Sequence, residues 1–573
     1  MDVLNETWAH RARQTAALTP DDFLTRWKTL KASSPAWADE ALRLRSRHQV
    51  GEFLRYTLPG VFAFPWNAFH KAVLSNPKHH WSEQTEVERR LNLAPRGVGK
   101  STLKKGDVAH SIVYGLRRFI VVVAATKGDS ESWASTLRGW FGTRTDDNAH
   151  LHDLYGPFTI TGKQDRFTVT TRWGTKTTIW CASTSTSLQG ANEETHRPDE
   201  VVLDDWESRK HVRSATQRAQ WQQKLNSEIL KLRDRARGAV FEANVTVNHP
   251  DSISQRIREG KEPNQGWEVR EFPALFSWPE RMDLWNKCKA IYLNLSLGKL
   301  RKKAARAFYE AKRTLMDAGA RVLDEAAQPL YALMEMIWCE GMGAFLQEML
   351  HKVRGLGDSI FDSSRFVRCT VEHHPVHGTR ITNGSTGKII PLSAMRRRMA
   401  RWDPSTGSPT GDFASIAVIL RDQDGYAYCV DCWLQQGARV SEQLKAAWRL
   451  AEKWGLSRIS LESNGFQAVI DEVFRPQRAE RKAKKQFYSL MLELDPSTGN
   501  KEDRLAGLEP ALHGGILQLA GHLTPVLDQQ IEDFDGIANS HHDDGHDALE
   551  GAFARSGGMP PAMSQHPLHQ QVA

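Results

Sequence analysis

The sequence predicts an α/β protein in which two sheet-containing domains are joined by a mainly helical connector, and three features carry that prediction. From about residue 90 to 250 short apolar segments alternate with amphipathic ones, the pattern of strands and helices taken in turn. From about 282 to 352 the strand signals give way to helical, partly basic sequence, and from about 398 a second alternation begins. The 573 residues carry a net charge of +8, with 25% charged and 40% hydrophobic residues, an ordinary globular composition. No apolar run approaches the ~18–20 residues needed to span a bilayer, and the opening MDVLNETWAHRARQ lacks the apolar core of a secretory signal. The chain is therefore expected in the cytoplasm, with no membrane partner and with its six cysteines reduced.

Taken in order, residues 1–55 read as helical, with Phe23, Trp27, Leu30, Trp37, Leu42 and Leu44 set among Arg and Lys. A first domain over 56–280 contains strands expected at Leu91–Ala94, Phe119–Ala124, Thr178–Ala182, Val201–Leu203 and Val240–Val247, with helices beginning at Lys100, Ser130 and Ser214. The connector spans 281–395 and includes the basic stretch Lys299–Arg321. A second domain over 396–555 has strands at Ala414–Leu420, Ala427–Trp433 and Arg458–Leu461 and a helix near Glu442–Trp454. Residues 556–573, rich in Gly, Pro, Gln and His, read as a disordered tail. Cys429 and Cys432 form a CxxC in a strand-like stretch with no zinc-spaced partner pair, and so read as buried thiols.

Ala94-Pro95-Arg96-Gly97-Val98-Gly99-Lys100-Ser101-Thr102 follows a strand and opens a helix, the context of a phosphate-binding loop. Gly97 and Gly99 let backbone N–H groups turn toward phosphate oxygens, and the helix adds its positive N-terminal end. Lys100 is placed to reach the β- and γ-phosphates, and Ser101 to hold Mg²⁺. Ala94 replaces the first Gly of the common pattern, where the chain turns without touching phosphate. Downstream, Val201-Val202-Leu203-Asp204-Asp205 is an apolar strand ending in acids. Asp204 is assigned to Mg²⁺ and Asp205 to the base that activates water, with Glu207 as the competing base.

In the second domain acids end strands or open a helix: Asp403, Glu462, and Asp544 or Asp547 in the segment His541–Leu549. Singly, each reads as a surface cap. Three acids brought from distant segments into one pocket would repel one another, which divalent cations relieve, and two such ions suit phosphodiester cleavage. A His/Asp zinc site within 541–547 is the competing metal reading.

Together these motifs resemble the large terminase subunit of tailed bacteriophages over about residues 60–555. The resemblance rests on residues 94–102, on Val202-Leu203-Asp204-Asp205-Trp206-Glu207-Ser208, and on the Asp403, Glu462 and Asp544/Asp547 segments. It implies an N-terminal P-loop ATPase domain of the ASCE, RecA-like type followed by a C-terminal RNase H-like nuclease. It also implies an Arg finger in cis at Arg96 and a coupling motif at Thr246-Val247-Asn248-His249-Pro250-Asp251, with Thr246 and Asn248 as its polar members. The implied cofactors are ATP with Mg²⁺ in the first domain and two Mg²⁺ or Mn²⁺ in the second. The implied partners are double-stranded DNA, a small terminase subunit, the portal protein, and further copies of the chain in a pentameric ring, although free in solution the chain can be a monomer. The implied setting is the cytoplasm of an infected bacterium, docked transiently on the procapsid and absent from the mature virion.

The chain departs from the family pattern in three places. Asp-Asp stands where many members have Asp-Glu, leaving the base open between Asp205 and Glu207. The third nuclease acid is open between Asp544 and Asp547, Asp547 being favoured because it starts the Asp-Ala-Leu run of the last helix. No adenine-contacting Gln is evident, Pro65-Trp66-Asn67 holding that position. DNA phosphates are expected to be gripped without base reading, at Arg396–Arg398 with Arg401 and at Arg475, Arg478, Arg481, Lys482, Lys484 and Lys485. Two other readings fit the same motifs: a DNA helicase or remodelling ATPase with a non-cutting C-terminal DNA-binding module, and a transposase-like RNase H nuclease with a regulatory P-loop.

Overall fold

The apolar segments of the N-terminal half assemble into an eight-stranded sheet in the computed structural model, which describes residues 13–560 apart from 193–195, 208–211, 213–214, 234–237, 248, 353–358, 406, 409–410, 463–466, 496–499 and 536–541. The described residues form two compact units. One comprises the chain to Ser277 with Arg321–Pro329 and Leu346–Arg354; the other comprises Trp278–Ala320, Leu330–Phe345 and the chain from Gly355 onward.

In the first unit the strands are β1 (Glu88–Leu93), β2 (Phe119–Ala124), β3 (Thr159–Gly162), β4 (Arg166–Thr170), β5 (Lys176–Ser183), β6 (Glu200–Asp204), β7 (Val240–Val245) and β8 (Glu268–Glu271). Their order is β3-β4-β5-β2-β6-β7-β1-β8, parallel from β5 to β8 with an antiparallel β3-β4-β5 edge. Strand β7 lies between the strand leading to the Gly-rich loop and the strand ending in the acid pair, the order of the ASCE class. A two-stranded ribbon, β9 (Leu275–Ser277) with β10 (Arg321–Val322), completes the unit's strands.

Two apolar cores cover the two faces of this sheet. Leu91, Leu93, Val121, Val201, Leu203, Phe241 and Ala243 pack with Trp206, Trp221, Leu225 and Ile253 on one face. Val122, Ile120, Val202 and Ile179 pack on the other with Leu103 and Val108 of the Lys100–Val113 helix, Trp133 and Leu137 of the Lys127–Phe141 helix, and Phe53 and Leu54 of the Val50–Thr57 helix. The residues alternate between faces along each strand because strand side chains do. Thr126 caps the Lys127–Phe141 helix by a reciprocal exchange with Asp129, and Asn67 caps Ala68–Leu74 with His70 in the same way.

The second unit holds a nine-stranded sheet made from β11 (Arg368–His374), β12 (Gly378–Thr382), β13 (Ile389–Pro391), β14 (Arg397–Asp403), β15 (Phe413–Arg421), β16 (Ala427–Gln436), β17 (Arg458–Glu462), β18 (Met491–Asp495) and β19 (Leu517–Ala520). Its order is β13-β12-β11-β19-β16-β15-β14-β17-β18. The part β16-β15-β14-β17-β18, an antiparallel meander followed by parallel strands, is the RNase H-like arrangement. The Asp544–Ser556 helix packs across β14 and β15, and Val440–Trp454 buries Leu444, Ala447, Leu450 and Ala451.

Two differences from the sequence reading concern these elements. Residues 368–391, inside the stretch expected to be mainly helical, contain strands β11–β13, which bury only Cys369, Ile381 and Ile390 and so carry little apolar alternation. Asp403 ends β14, a strand absent from the sequence reading because its basic residues masked a segment that pairs β15 along its length. The expected tail lies outside the described residues from 561 on, Ser556 being the end of the last helix. All six cysteines are buried and unbonded, including Cys429 and Cys432.

Candidate active sites

The Gly-rich loop links β1 to the Lys100–Val113 helix, with Gly97 at φ +79° and Gly99 at φ +78°, a backbone conformation that favours glycine. Lys100, almost fully buried, donates to the carbonyls of Ala94 (3.2 Å) and Pro95 (3.1 Å) and to Thr246 Oγ1 (2.7 Å). Its Nζ lies 3.6 Å from Asp205 Oδ2. Asp205 sits at φ +38° just past β6, where its N–H donates to the Asn244 carbonyl and its Oδ1 accepts the Thr246 N–H at 2.9 Å. The structure thus brings Lys100, Asp205 and Thr246 together; Asn248 lies outside the described residues.

Asp204, at the end of β6, faces the opposite way along the strand and accepts from Trp133 Nε1 at 2.7 Å. Burial, then the neighbouring Asp205 charge, pushes its carboxyl up to about 6, against the lowering effects of Ser101, Trp133 and Lys100. Its Oδ1 is buried without a hydrogen-bond partner, so a buried carboxylate oxygen beside Ser101 fits a divalent cation, directly or through water. Glu207 is not brought to this site. Its carboxylate accepts from Ile253 N (2.7 Å), Ser254 N (2.8 Å) and the Ser254 hydroxyl, holding the start of the Ile253–Arg258 helix.

Arg96 is exposed at the rim of the loop, its guanidinium 3.8 Å from Glu348 and its carbonyl accepting from Gln328 Nε2 at 2.8 Å. His70 Nε2 donates to the Val98 carbonyl at 2.8 Å, so the loop is held from outside as well as along the chain. Asn67 donates to Asp324 (2.7 Å), and Trp66 lies under Arg55. Trp133, Gln328, Glu348 and His70 carry no motif and escaped sequence reasoning. Asn244 and Glu242 had a signal, polar residues at period two with Thr246 in a strand that should be wholly apolar. They form a buried ladder in which Asn92 donates to both, with Lys104 bonded to Glu242.

In the second unit Asp403 and Glu462 end the adjacent parallel strands β14 and β17, and Asp547 comes from the first turn of the Asp544–Ser556 helix. One carboxylate oxygen from each lies within 4.8 Å of the others. Asp403 is held well above the ordinary carboxylate value, first by burial, then by the Glu462 charge and a hydrogen bond to Glu462, with Asp547 and Asp544 adding to it. Three oxygen donors with mutual repulsion form a set suited to Mg²⁺ or Mn²⁺. Asp544 is not in this group. It joins Asp412 and His542, accepts the Phe413 N–H at 3.0 Å, and so ties the last helix to the start of β15.

The expected phosphate grips divide. Arg401 is buried, paired with Asp495 and 3.7 Å from Glu462, so it supports the acid cluster instead of facing DNA. Arg396 is exposed, whereas Arg398 is bonded to the Leu392 and Trp454 carbonyls. In the second cluster Arg475, Arg478, Lys482, Lys484 and Lys485 are exposed. On the Leu300–Asp317 helix Arg301 is buried, donating to the Tyr292 carbonyl, while Arg306 and Arg313 pair with Glu310 and Asp317 one turn on.

Residues 400–555 match the terminase RNaseH-like domain family. A search of curated proteins finds no match to the sequence. Among solved structures, the chain is similar to the large terminase of the thermophilic bacteriophage D6E, with 10% identity over 86% of this chain and 99% of that one and a TM-score of 0.40. It is similar to the bacteriophage HK97 large terminase, with 14% identity over 89% and 99% of the two chains and a TM-score of 0.29. It is also similar to the large terminase nuclease of thermophilic phage G20c with bound magnesium, with 16% identity over 35% and 97% and a TM-score of 0.21.

Proposed function

We infer that this chain is a large terminase subunit, an ATP-driven DNA-packaging motor that carries its own metal-dependent nuclease. The observation that carries the reading is the presence in one chain of a Gly-rich loop facing the Asp204-Asp205 strand end and a terminase RNaseH-like domain bearing Asp403, Glu462 and Asp547.

In the motor, the loop N–H groups and Lys100 bind the nucleotide phosphates, Ser101 and Asp204 hold Mg²⁺, and Arg96 reaches the γ-phosphate. Asp205, beside Lys100, takes the proton of the attacking water. Thr246 hydrogen-bonds both Lys100 and Asp205, so a change at the phosphate is felt at the end of β7. In the nuclease, Asp403, Glu462 and Asp547 hold two Mg²⁺ or Mn²⁺, which when bound activate water and stabilise the leaving oxygen of the phosphodiester. The exposed Arg475–Lys485 cluster holds DNA through phosphates, with affinity that falls as salt rises. The DNA is double-stranded, and the partners are a small terminase subunit and the portal of a procapsid, on which a homo-oligomeric ring of five assembles in the cytoplasm of the infected cell. Among the described residues no helix is long and apolar enough to cross a membrane.

The test measures ATPase and plasmid cleavage in one preparation. Lys100→Ala is expected to abolish ATPase and packaging while sparing cleavage in Mn²⁺, and Asp403→Ala or Glu462→Ala to do the reverse. One substitution that removes both activities from a folded protein overturns the two-site reading. Cleavage unaffected by Asp403→Asn transfers the chain to the helicase class with a non-cutting second domain.

A further inference from the structure

The third acid of the nuclease cluster is claimed on both oxygens by basic side chains. Arg504 Nη1 donates to Asp547 Oδ1 at 3.1 Å, and Lys501 Nζ lies 3.4 Å from Asp547 Oδ2. Lys501 also donates to Asp543 Oδ1 at 2.8 Å, and Arg504 also pairs with Glu550. Lys501 and Arg504 stand three residues apart on the Lys501–Ala506 helix, and Asp547 and Glu550 three apart on the Asp544–Ser556 helix. That spacing places each pair on one helix face, so a basic face meets an acidic one. The Asp547 side chain is 8% exposed, that of Lys501 30% and that of Arg504 19%, so the acid is fixed while the lysine has a route to solvent.

From this geometry we propose that Lys501 and Arg504 are a built-in counter-cation on Asp547 that competes with divalent metal for its carboxylate, and that DNA phosphates relieve the competition by drawing the two basic side chains away. The proposal rests on the nuclease reading above. A divalent ion at the cluster would share Asp547 with two cationic side chains that lie 3.1 and 3.4 Å from its oxygens, and like charges drawn to one carboxylate repel one another. Phosphate is the alternative partner that both side chains bind well, Arg through its fork and Lys as a point charge. The nuclease would then hold metal weakly away from DNA and tightly on it, so that cleavage chemistry is assembled only where a strand is present.

The direction of the effect separates this role from a structural one. If the pairs only hold two helices together, breaking them loosens Asp547 and weakens metal binding; as competitors, their removal tightens it. Mn²⁺ is titrated into the full chain and followed by electron paramagnetic resonance, the equivalent missing in Asp547→Asn defining the site. Lys501→Met is expected to tighten that equivalent by about tenfold, the smaller end of what a single opposite charge does to a carboxylate. A phosphorothioate duplex that resists cleavage is expected to tighten it in the wild type and to change little in Lys501→Met. Unchanged or weaker Mn²⁺ binding in both Lys501→Met and Arg504→Met, with native circular dichroism, overturns the proposal, and Lys501→Gln replaces any variant that does not fold. Should Asp547→Asn lose no equivalent, the acid cluster itself is not the metal site and both readings fall together.

Discussion

Asp205 and Glu207 are two residues apart, yet their surroundings differ. Asp205 lies beside Lys100 with one oxygen directed at Thr246, whereas Glu207 is buried and fully engaged in holding the start of a helix. Asp205→Asn is therefore expected to lower ATPase kcat by about 10²–10⁴, the range for loss of a general base, at unchanged stability. Glu207→Gln should cost about 2 kcal/mol of stability, as for hydrogen bonds to a charged group, with kcat nearly intact; steady-state ATPase and denaturant melts on both variants check the pair. The ambiguity could not be resolved from sequence because both acids follow the same apolar strand, and only the partner from residues 253–254 distinguishes them. His110 illustrates burial as the dominant cause: desolvation first and the Lys78 charge second push it down to about 3, against the raising effects of Asp107 and of its hydrogen bond to the Ser46 carbonyl. Between that value and about 6.5 the unfolded chain binds the extra proton, so the stability contributed by neutral His110 is complete above about pH 6.5 and declines as pH falls toward 3. The slope is about 1.4 kcal/mol per pH unit. His110→Gln should remove it, which comparison of denaturant midpoints for the two proteins at pH 7.5 and pH 5 will show.

At the scale of elements, β7 was legible as a strand but not as what it does. All six of its residues are buried, and its polar residues Glu242 and Asn244, with Thr246 just past its end, fall on the one face where Lys104 and Lys100 meet them. A strand with this buried polar face tolerates little displacement. Gly238, just before it, shows how tightly it is set, since a Cβ there would lie 1.6 Å from the Glu86 carbonyl oxygen. Gly238→Ala is expected to destabilise the protein by about 1–3 kcal/mol or more, the cost of overpacking with a backbone shift, and to lower ATPase with it; a thermal melt beside an ATPase assay is the measurement. The nuclease strands divide along similar lines. β15, β16 and β17 are buried and read directly from their apolar runs, whereas β14 is written in arginines because Arg401 is needed inside, against Asp495. β11–β13 escaped because strands that bury only one residue each carry little apolar signal.

For the whole molecule, the two chemistries could be read from the order of motifs along the chain, since each loop and acid keeps its place between a strand and a helix. What could not be read is which distant segments complete each site. Gln328 and Glu348 contribute to the Gly-rich loop from beyond residue 320, although the residues between them, Leu330–Phe345, belong to the other unit. Neither residue belongs to a motif, and neither is near the loop in sequence. This interleaving bears on how the gene can be dissected. A fragment ended at residue 280 would retain every residue of the Gly-rich loop and the acid pair, and would pass for a complete motor by its motifs. It would nonetheless lack the side chain that holds the Arg96 carbonyl and the carboxylate that faces the Arg96 guanidinium, and it should bind ATP more weakly than a fragment carried through residue 354. Titrating a fluorescent ATP analogue into both fragments would reveal whether a motor's limits are set by its motifs or by the returning chain that holds them.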